Sequence, residues 1–250
     1  MEILEACGLA AAAFVAGAIN AVAGGGSLVS FPALIAAGYS SKTANVTNTV
    51  ALWPGYVGGS VGYRDELGRQ RGRVARLAAP SIAGALVGSF VLLATPTSAF
   101  DAAVPLLIVF ACAVMALQDP LAAFAARHRL GGSEVSPLLL VTTFVLAVYG
   151  AYFGAGLGIL TLAALGILMP DEPQHANALK GMLSLLINAV AVVYFVAFGP
   201  VRWAPALVMA VAAIAGGYLG VSVARRLGKR WLRIAVITYG LAAALILFLR

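Results

Sequence analysis

The residues able to do chemistry in this chain are few, and they collect in two stretches. The first runs from Gly17 to Thr49 and holds Asn20, then Gly24, Gly25, Gly26 and Ser27, then Asn45, Asn48 and Thr49. The second begins at Gly150 and carries Gly154, Gly156 and Gly158, followed by Asn177, Lys180, Ser184 and Asn188. Amides, hydroxyls and one lysine around glycines offer hydrogen-bond donors and a positive charge. Such a set can hold an anion, because glycine lets a ligand approach backbone N–H groups and a helix N-terminus adds the positive end of its dipole. Asn45, Asn48 and Thr49 share a helical face at three- and four-residue spacing, and so do Asn177, Lys180, Ser184 and Asn188. No metal-ligand cluster, nucleophile with a base, or GxxxxGK[ST] loop accompanies them, so the sequence predicts no enzyme, no metal and no cofactor.

A plainer reading stands beside this one. The glycines can serve only close helix packing, as Gly84 and Gly88 do at GxxxG spacing, and Lys180 can snorkel to an interface from the first turns of its helix. His175 reads as a helix cap or a titrating group, Asp171 and Glu172 as first-turn acids. Trp203, Trp231 and Tyr63 read as interfacial aromatics, and Trp53, beside Pro54, as a lining residue.

The elements that must position these groups are membrane helices. Of 250 residues, 62% are apolar and 10% charged, far from soluble averages of roughly 45–50% and about 25%. Apolar runs of spanning length recur from Cys7 onward, leaving no stretch for a soluble domain. The opening MEILEACG carries glutamates where a secretory signal carries lysine or arginine, so it reads as part of the mature protein. Cys7 and Cys112 lie in separate apolar runs and read as small packing residues. The net charge of +7 sits in loops beside membrane segments, which makes it a topology signal and excludes a nucleic-acid-binding face.

The first apolar run, about 8 to 37, exceeds what one crossing of a ~30 Å core needs, and the glycines break it in two. Helices are expected from about 44 to 63, 77 to 94 and 103 to 118. A second broken run, about 137 to 169, is followed by helices near 176 to 198, 204 to 223 and 232 to 249. The halves align without gaps at a shift of 132 residues: Gly24 falls on Gly156, Gly26 on Gly158, Ala44-Asn45 on Ala176-Asn177, and Gly84 and Gly88 on Gly216 and Gly220. The chain therefore reads as repeat 1 (1–118), a cytoplasmic linker (119–136) and repeat 2 (137–250).

Basic residues orient the halves. Arg64, Arg69, Arg71, Arg73 and Arg76 occupy a loop whose aligned counterpart holds only Arg202, whereas TPTSAFD has no base and its counterpart holds Arg225, Arg226, Lys229, Arg230 and Arg233. Since basic loops face the cytoplasm, equivalent loops lie on opposite sides and the repeats are expected to be inverted. An inverted pair needs an odd number of crossings per half, so each broken run is expected to be re-entrant, with three transmembrane helices after it. That count puts twelve of the sixteen bases inside. The fold class is thus an all-α polytopic membrane protein of two inverted repeats. An intramembrane lysine is a functional hypothesis by default.

AINAVAGGGSLVSFPALIAAGYSSKTAN, and GAYFGAGLGILTLAALGI followed by HANALKGMLSLLINAVAVVYF, resemble the two hallmark stretches of the sulfite exporter TauE/SafE family over nearly the whole chain. In this chain Val46-Thr47-Asn48-Thr49 takes the place of the family's Gly-Thr-Ser-like run. The resemblance implies a multi-pass exporter of the bacterial cytoplasmic (inner) membrane, acting on sulfite, sulfoacetate or a related organosulfonate. It also implies eight membrane segments with each broken run crossing once, a count at odds with the inverted reading. The partners expected are a small anionic substrate and the lipid bilayer, with no nucleic acid and with homo-oligomerisation left open. An anion channel, or a transporter of a non-sulfur organic anion, fits the same residues.

Overall fold

In a computed structural model, residues 2–22, 25–61, 64–128, 134–169, 171–227 and 229–249 are described. Gly24, Tyr63 and Arg129 lie outside them, as do the side chains of Arg64, Arg225, Arg226 and Lys229. All regular structure among the described residues is helical: α1 (Ile3–Val22), α2 (Ser27–Ala36), α3 (Ser41–Val61), α4 (Arg64–Arg69), α5 (Arg71–Ala94), α6 (Thr97–Ala116), α7 (Gln118–Arg127), α8 (Pro137–Tyr152), α9 (Leu157–Leu168), α10 (Pro173–Phe198), α11 (Trp203–Leu227) and α12 (Lys229–Phe248). Both apolar runs are broken at their glycines, as expected.

Other boundaries differ from the sequence reading. The basic stretch after α3 is not a loop: it forms α4 and the first turn and a half of α5, since arginine, leucine and alanine are good helix formers and arginine's stem can lie along an apolar helix while its head reaches water. TPTSAFD likewise turns helical at Thr97, directly after Pro96. The linker contains α7.

Five described helices are long and apolar enough to cross a membrane, within Ile3–Asn20, Arg71–Ala94, Thr97–Ala116, Gln174–Phe198 and Arg230–Phe248. Burial is inside-out relative to a soluble protein. Phe90, Val141, Val193, Val211 and Leu245 are exposed, while Ser30, Asn45, Thr47, Asn48, Ser81, Thr143, Thr161 and Ser184 are buried. The polar helix α3 is therefore an interior element, its amides shielded by apolar neighbours. That placement matches what lipid demands, because an unpaired polar group facing hydrocarbon costs several kcal/mol.

The first broken run folds back on itself. A Cβ built at Gly26 would overlap the Ala16 carbonyl, and beyond α2 the Tyr39 hydroxyl donates to Glu5 Oε1 at 2.7 Å, so the chain returns to where it started. The second does the same: Leu165, Leu168 and Met169 at the end of α9 cluster with Leu139 at the start of α8.

Helix pairing exchanges under the 132-residue shift. α1 packs along α11 and α5 along α8; α3 packs on α11 and α10 on α5. At Gly84 and Gly88 a Cβ would overlap the Phe144 and Val148 carbonyls, so these two helices touch backbone to backbone and run parallel. Two pairs of equivalent helices instead meet each other. α3 and α10 run antiparallel, with Arg202 N donating to Thr47 Oγ1 at 3.1 Å and, in their middles, Trp53 Nε1 donating to the carbonyl of Leu185, its own equivalent, at 3.3 Å. α6 and α12 are also antiparallel, Arg233 reaching Asp119 at 2.7 Å and Gly240 sitting on Ile108, again its equivalent, and Cys112.

Candidate functional site

Each break is closed by its own side chains. At the first, Asn20 Oδ1 accepts from Gly26 N at 2.7 Å, satisfying one of the N–H groups that the start of α2 leaves free. Gly25 has φ +92, a left-handed conformation in which a β-carbon is strained, and Met115 of α6 fills the space where a side chain would point. Gly25 and Gly26 are buried and Ser27 is half-buried. At the second break Gly154 (φ 75) and Gly156 (φ 80) are left-handed, and the Tyr149 hydroxyl donates to the Ala155 carbonyl at 2.5 Å.

The two breaks are joined through the start of α3. Asn45, 2% exposed, donates from Nδ2 to the Tyr152 carbonyl at 2.9 Å, capping the C-terminal end of α8. Phe31, one turn into α2, meets Phe153 edge-on at 5.4 Å between centroids. Asn48 is 3% exposed, and its Oδ1 has no hydrogen-bond partner. A buried amide oxygen left unpaired costs about 1–3 kcal/mol. Because an amide can turn either its oxygen or its nitrogen to a neighbour, this position can meet a donor or an acceptor. Thr49 is spent locally, its hydroxyl donating to the Asn45 carbonyl at 3.0 Å.

Lys180 belongs to the second break. Its stem lies against Gly158, whose built Cβ would stand 3.7 Å from Lys180 Cδ, and its Nζ is 3.3 Å from Asn177 Oδ1. Seven residues into α10, it sits about 10 Å along the helix from Pro173. Ser184 is buried, and its carbonyl accepts from Asn188 Nδ2 at 2.8 Å. Such one-turn bonds satisfy polar side chains within a single helix.

The predicted set thus divides. Asn20, Gly25, Gly26 and Ser27 gather at the first break and Gly154, Gly156, Gly158, Asn177 and Lys180 at the second; Asn45, Asn48 and Thr49 lie on α3, Asn45 reaching the second break, and Ser184 and Asn188 are bonded to each other within α10. Asn48 and Lys180, aligned in the repeats, do not face each other. Antiparallel packing of α3 and α10 about Trp53 and Leu185 sets each five residues from the crossing on opposite sides, about 15 Å apart along the axis. Sequence reasoning missed Tyr149, Tyr152 and Phe153, which pin the second break. Their signal was the aromatic run flanking Gly150, where the first repeat has small residues. Asp171, read as a first-turn acid, forms an ion pair with Arg73.

The comparisons with known proteins point to membrane transporters. The sulfite exporter TauE/SafE family matches residues 9–247. A probable membrane transporter protein, ORF9, of Sinorhizobium sp is 28% identical over 247 residues, 94% of this chain and 88% of the relative. The probable membrane transporter protein YfcA of Escherichia coli is 26% identical over 225 residues, 88% of this chain and 81% of the relative. A probable membrane transporter protein of Haemophilus influenzae is 27% identical over 228 residues, 90% and 87% respectively. No solved structure gives a significant match. A family match across nearly the whole chain, on an all-helical body with apolar faces turned outward, leads to one conclusion: this chain belongs to the sulfite exporter TauE/SafE family of membrane transporters.

Proposed function

We propose that this protein exports a small sulfur-containing anion, sulfite or an organosulfonate such as sulfoacetate, across the bacterial inner membrane by alternating access between two inverted repeats. The observation that carries the proposal is the exchanged pairing of the helices. Equivalent helices α3 and α10, and α6 and α12, run in opposite directions, and equivalent residues meet each other at Trp53–Leu185 and Ile108–Gly240. An axis relating two oppositely directed halves supports inverted topology, the arrangement in which one half rocks against the other about a central site. The return of each broken run to its own starting end supports re-entry, with three crossings following in each repeat.

The substrate reading rests on the groups at the breaks. At the second break Lys180 supplies charge and Asn177 an amide, Asn48 offers a separate buried amide on the other side of the α3–α10 crossing, and the buried glycines Gly26 and Gly156 cap the starts of α2 and α9. The electrical gradient favours the outward direction, since moving one negative charge out of an inside-negative membrane releases about 2.3 kcal/mol per 100 mV. The test is uptake of labelled sulfite into proteoliposomes under an imposed potential, with sulfoacetate and sulfate as competitors. Saturable, potential-driven flux with counterflow is expected. Flux that never saturates would replace the carrier with a channel, and no flux of any of the three anions in folded protein would remove the sulfur-anion reading.

A further inference from the structure

One feature breaks the repeat symmetry. At the end of the molecule that carries the basic stretch, Arg73 of α5 forms an ion pair with Asp171, just before α10. Asp171 Oδ1 also accepts from Glu172 N at 2.7 Å and faces His175 Nδ1 at 3.3 Å. Gln70, buried between α4 and α5, donates to the His175 carbonyl at 3.1 Å and accepts from Arg73 at 3.2 Å. The cluster ties repeat 1 to repeat 2, and Arg69, Gln70, Gly72, Arg73, Asp171 and His175 line an open cleft of about 410 Å³. The 132-residue shift puts Pro205 at the place of Arg73, Tyr39 at that of Asp171, Thr43 at that of His175 and Arg202 at that of Gln70. There Tyr39 donates to Glu5 Oε1 at 2.7 Å with the Arg202 charge beside it, and Arg202 N donates to Thr47 Oγ1, but among the described residues no ion pair takes the place of Arg73–Asp171. What a duplication repeats is scaffold; an ion pair at a place whose equivalent holds none among the described residues can hold this end shut more firmly than the other.

We propose that the Arg73–Asp171 pair, braced by Gln70 and His175, is the cytoplasmic gate of this transporter, and that an anion entering the cleft opens it by taking Arg73 from Asp171. This rests on the alternating-access reading. The cleft brings an incoming anion to Arg69 and Arg73, an anionic sulfur oxyacid can receive the same guanidinium hydrogen bonds as a carboxylate, and release of Asp171 frees the start of the helix that carries Asn177 and Lys180. The gate thus recognises the cargo's charge before the central site does.

The experiment measures cytoplasmic access to the interior. Ser184→Cys is placed in a Cys7→Ser, Cys112→Ala background, and everted membrane vesicles are treated with a membrane-impermeant maleimide. Asp171→Asn is expected to speed labelling about fivefold, the shift given by loss of one partly exposed ion pair. The exchanged pair Arg73→Asp, Asp171→Arg is expected to restore the slow rate. Sulfoacetate or sulfate should speed labelling in the parent and leave Asp171→Asn unchanged. Should Asp171→Asn fail to fold, Arg73→Gln takes its place. Equal labelling of parent and folded single variant, or a parent indifferent to both anions, overturns the gate. Flux with no labelling response would sink the gate and keep the carrier; a full labelling response with no flux would sink the carrier's assigned cargo and keep the gate.

Discussion

Replacing Lys180 with methionine tests the site most directly, because the two readings of this residue predict opposite pairs of results. The stem lies on Gly158 and the ammonium makes one hydrogen bond of 3.3 Å, to Asn177. Methionine keeps the stem's apolar contact and removes the charge. For a monoanion about 4 Å from Nζ, an effective dielectric near 20 gives an attraction of ~4 kcal/mol. Dehydrating both partners takes back part of it, leaving about 1.5–3 kcal/mol, as for other hydrogen bonds to charged groups. Lys180→Met should therefore raise KM for the anion by about tenfold to a hundredfold. Stability should move the other way, since a charged side chain within a membrane helix is disfavoured by up to about 3 kcal/mol. Higher KM with an equal or higher unfolding temperature is the signature of a binding lysine, and Lys180→Arg should fall between the two. The assay pairs flux in proteoliposomes with thermal unfolding of the same purified protein. A folded Lys180→Met variant with KM within about twofold of the parent refutes the charge argument and leaves Lys180 as a packing residue.

Three further results are expected. Native Cys7 and a Ser40→Cys reporter, which begin and end the first broken run near the Glu5–Tyr39 hydrogen bond, should label from the same membrane face; labelling from opposite faces would mean that the run crosses once. Gly88→Leu drives a side chain into the Val148 carbonyl and should cost about 1–3 kcal/mol by overpacking, seen as a lower unfolding temperature, whereas the same change at exposed Gly55 should cost much less. Burial pushes the Asp171 carboxyl up, but hydrogen bonds from the Glu172 amide, Arg73 and His175 outweigh it and hold its pKa below that of an ordinary aspartate. A depressed folded value adds stability above the unfolded pKa, and that stability is lost as pH falls through the folded one. Thermal stability should therefore drop below about pH 4, and Asp171→Asn should flatten that part of the profile.

The composition and the two glycine breaks were legible in the linear chain because each is a local property. Lipid demands long apolar helices, and glycine marks the places where such a helix stops. The start of α5 was not legible because the helix begins in arginines, ahead of its apolar stretch. Tyr149 was missed because a hydroxyl that clasps a carbonyl six residues away leaves no periodic trace. The composition of α3 marked it as unusual, with Asn45, Thr47, Asn48 and Thr49 in five residues, but not which of them would be occupied. Asn45 is spent on Tyr152 and Thr49 on its own helix, while the Asn48 oxygen is left unpaired.

What the sequence determined by itself was membership of a membrane class, the two glycine breaks and the residue types beside them, since these follow from solvent and backbone freedom. Only the tertiary structure decided which equivalent residues meet and which part. Alignment puts Asn48 and Lys180 at one position of a repeat, yet antiparallel packing through Trp53 and Leu185 carries them to opposite sides of the crossing. Likewise Arg73 and Asp171, 98 residues apart, become partners because α5 packs on α10. An alignment pairs positions along the chain, and the antiparallel packing of α3 on α10 turns that pairing into distance.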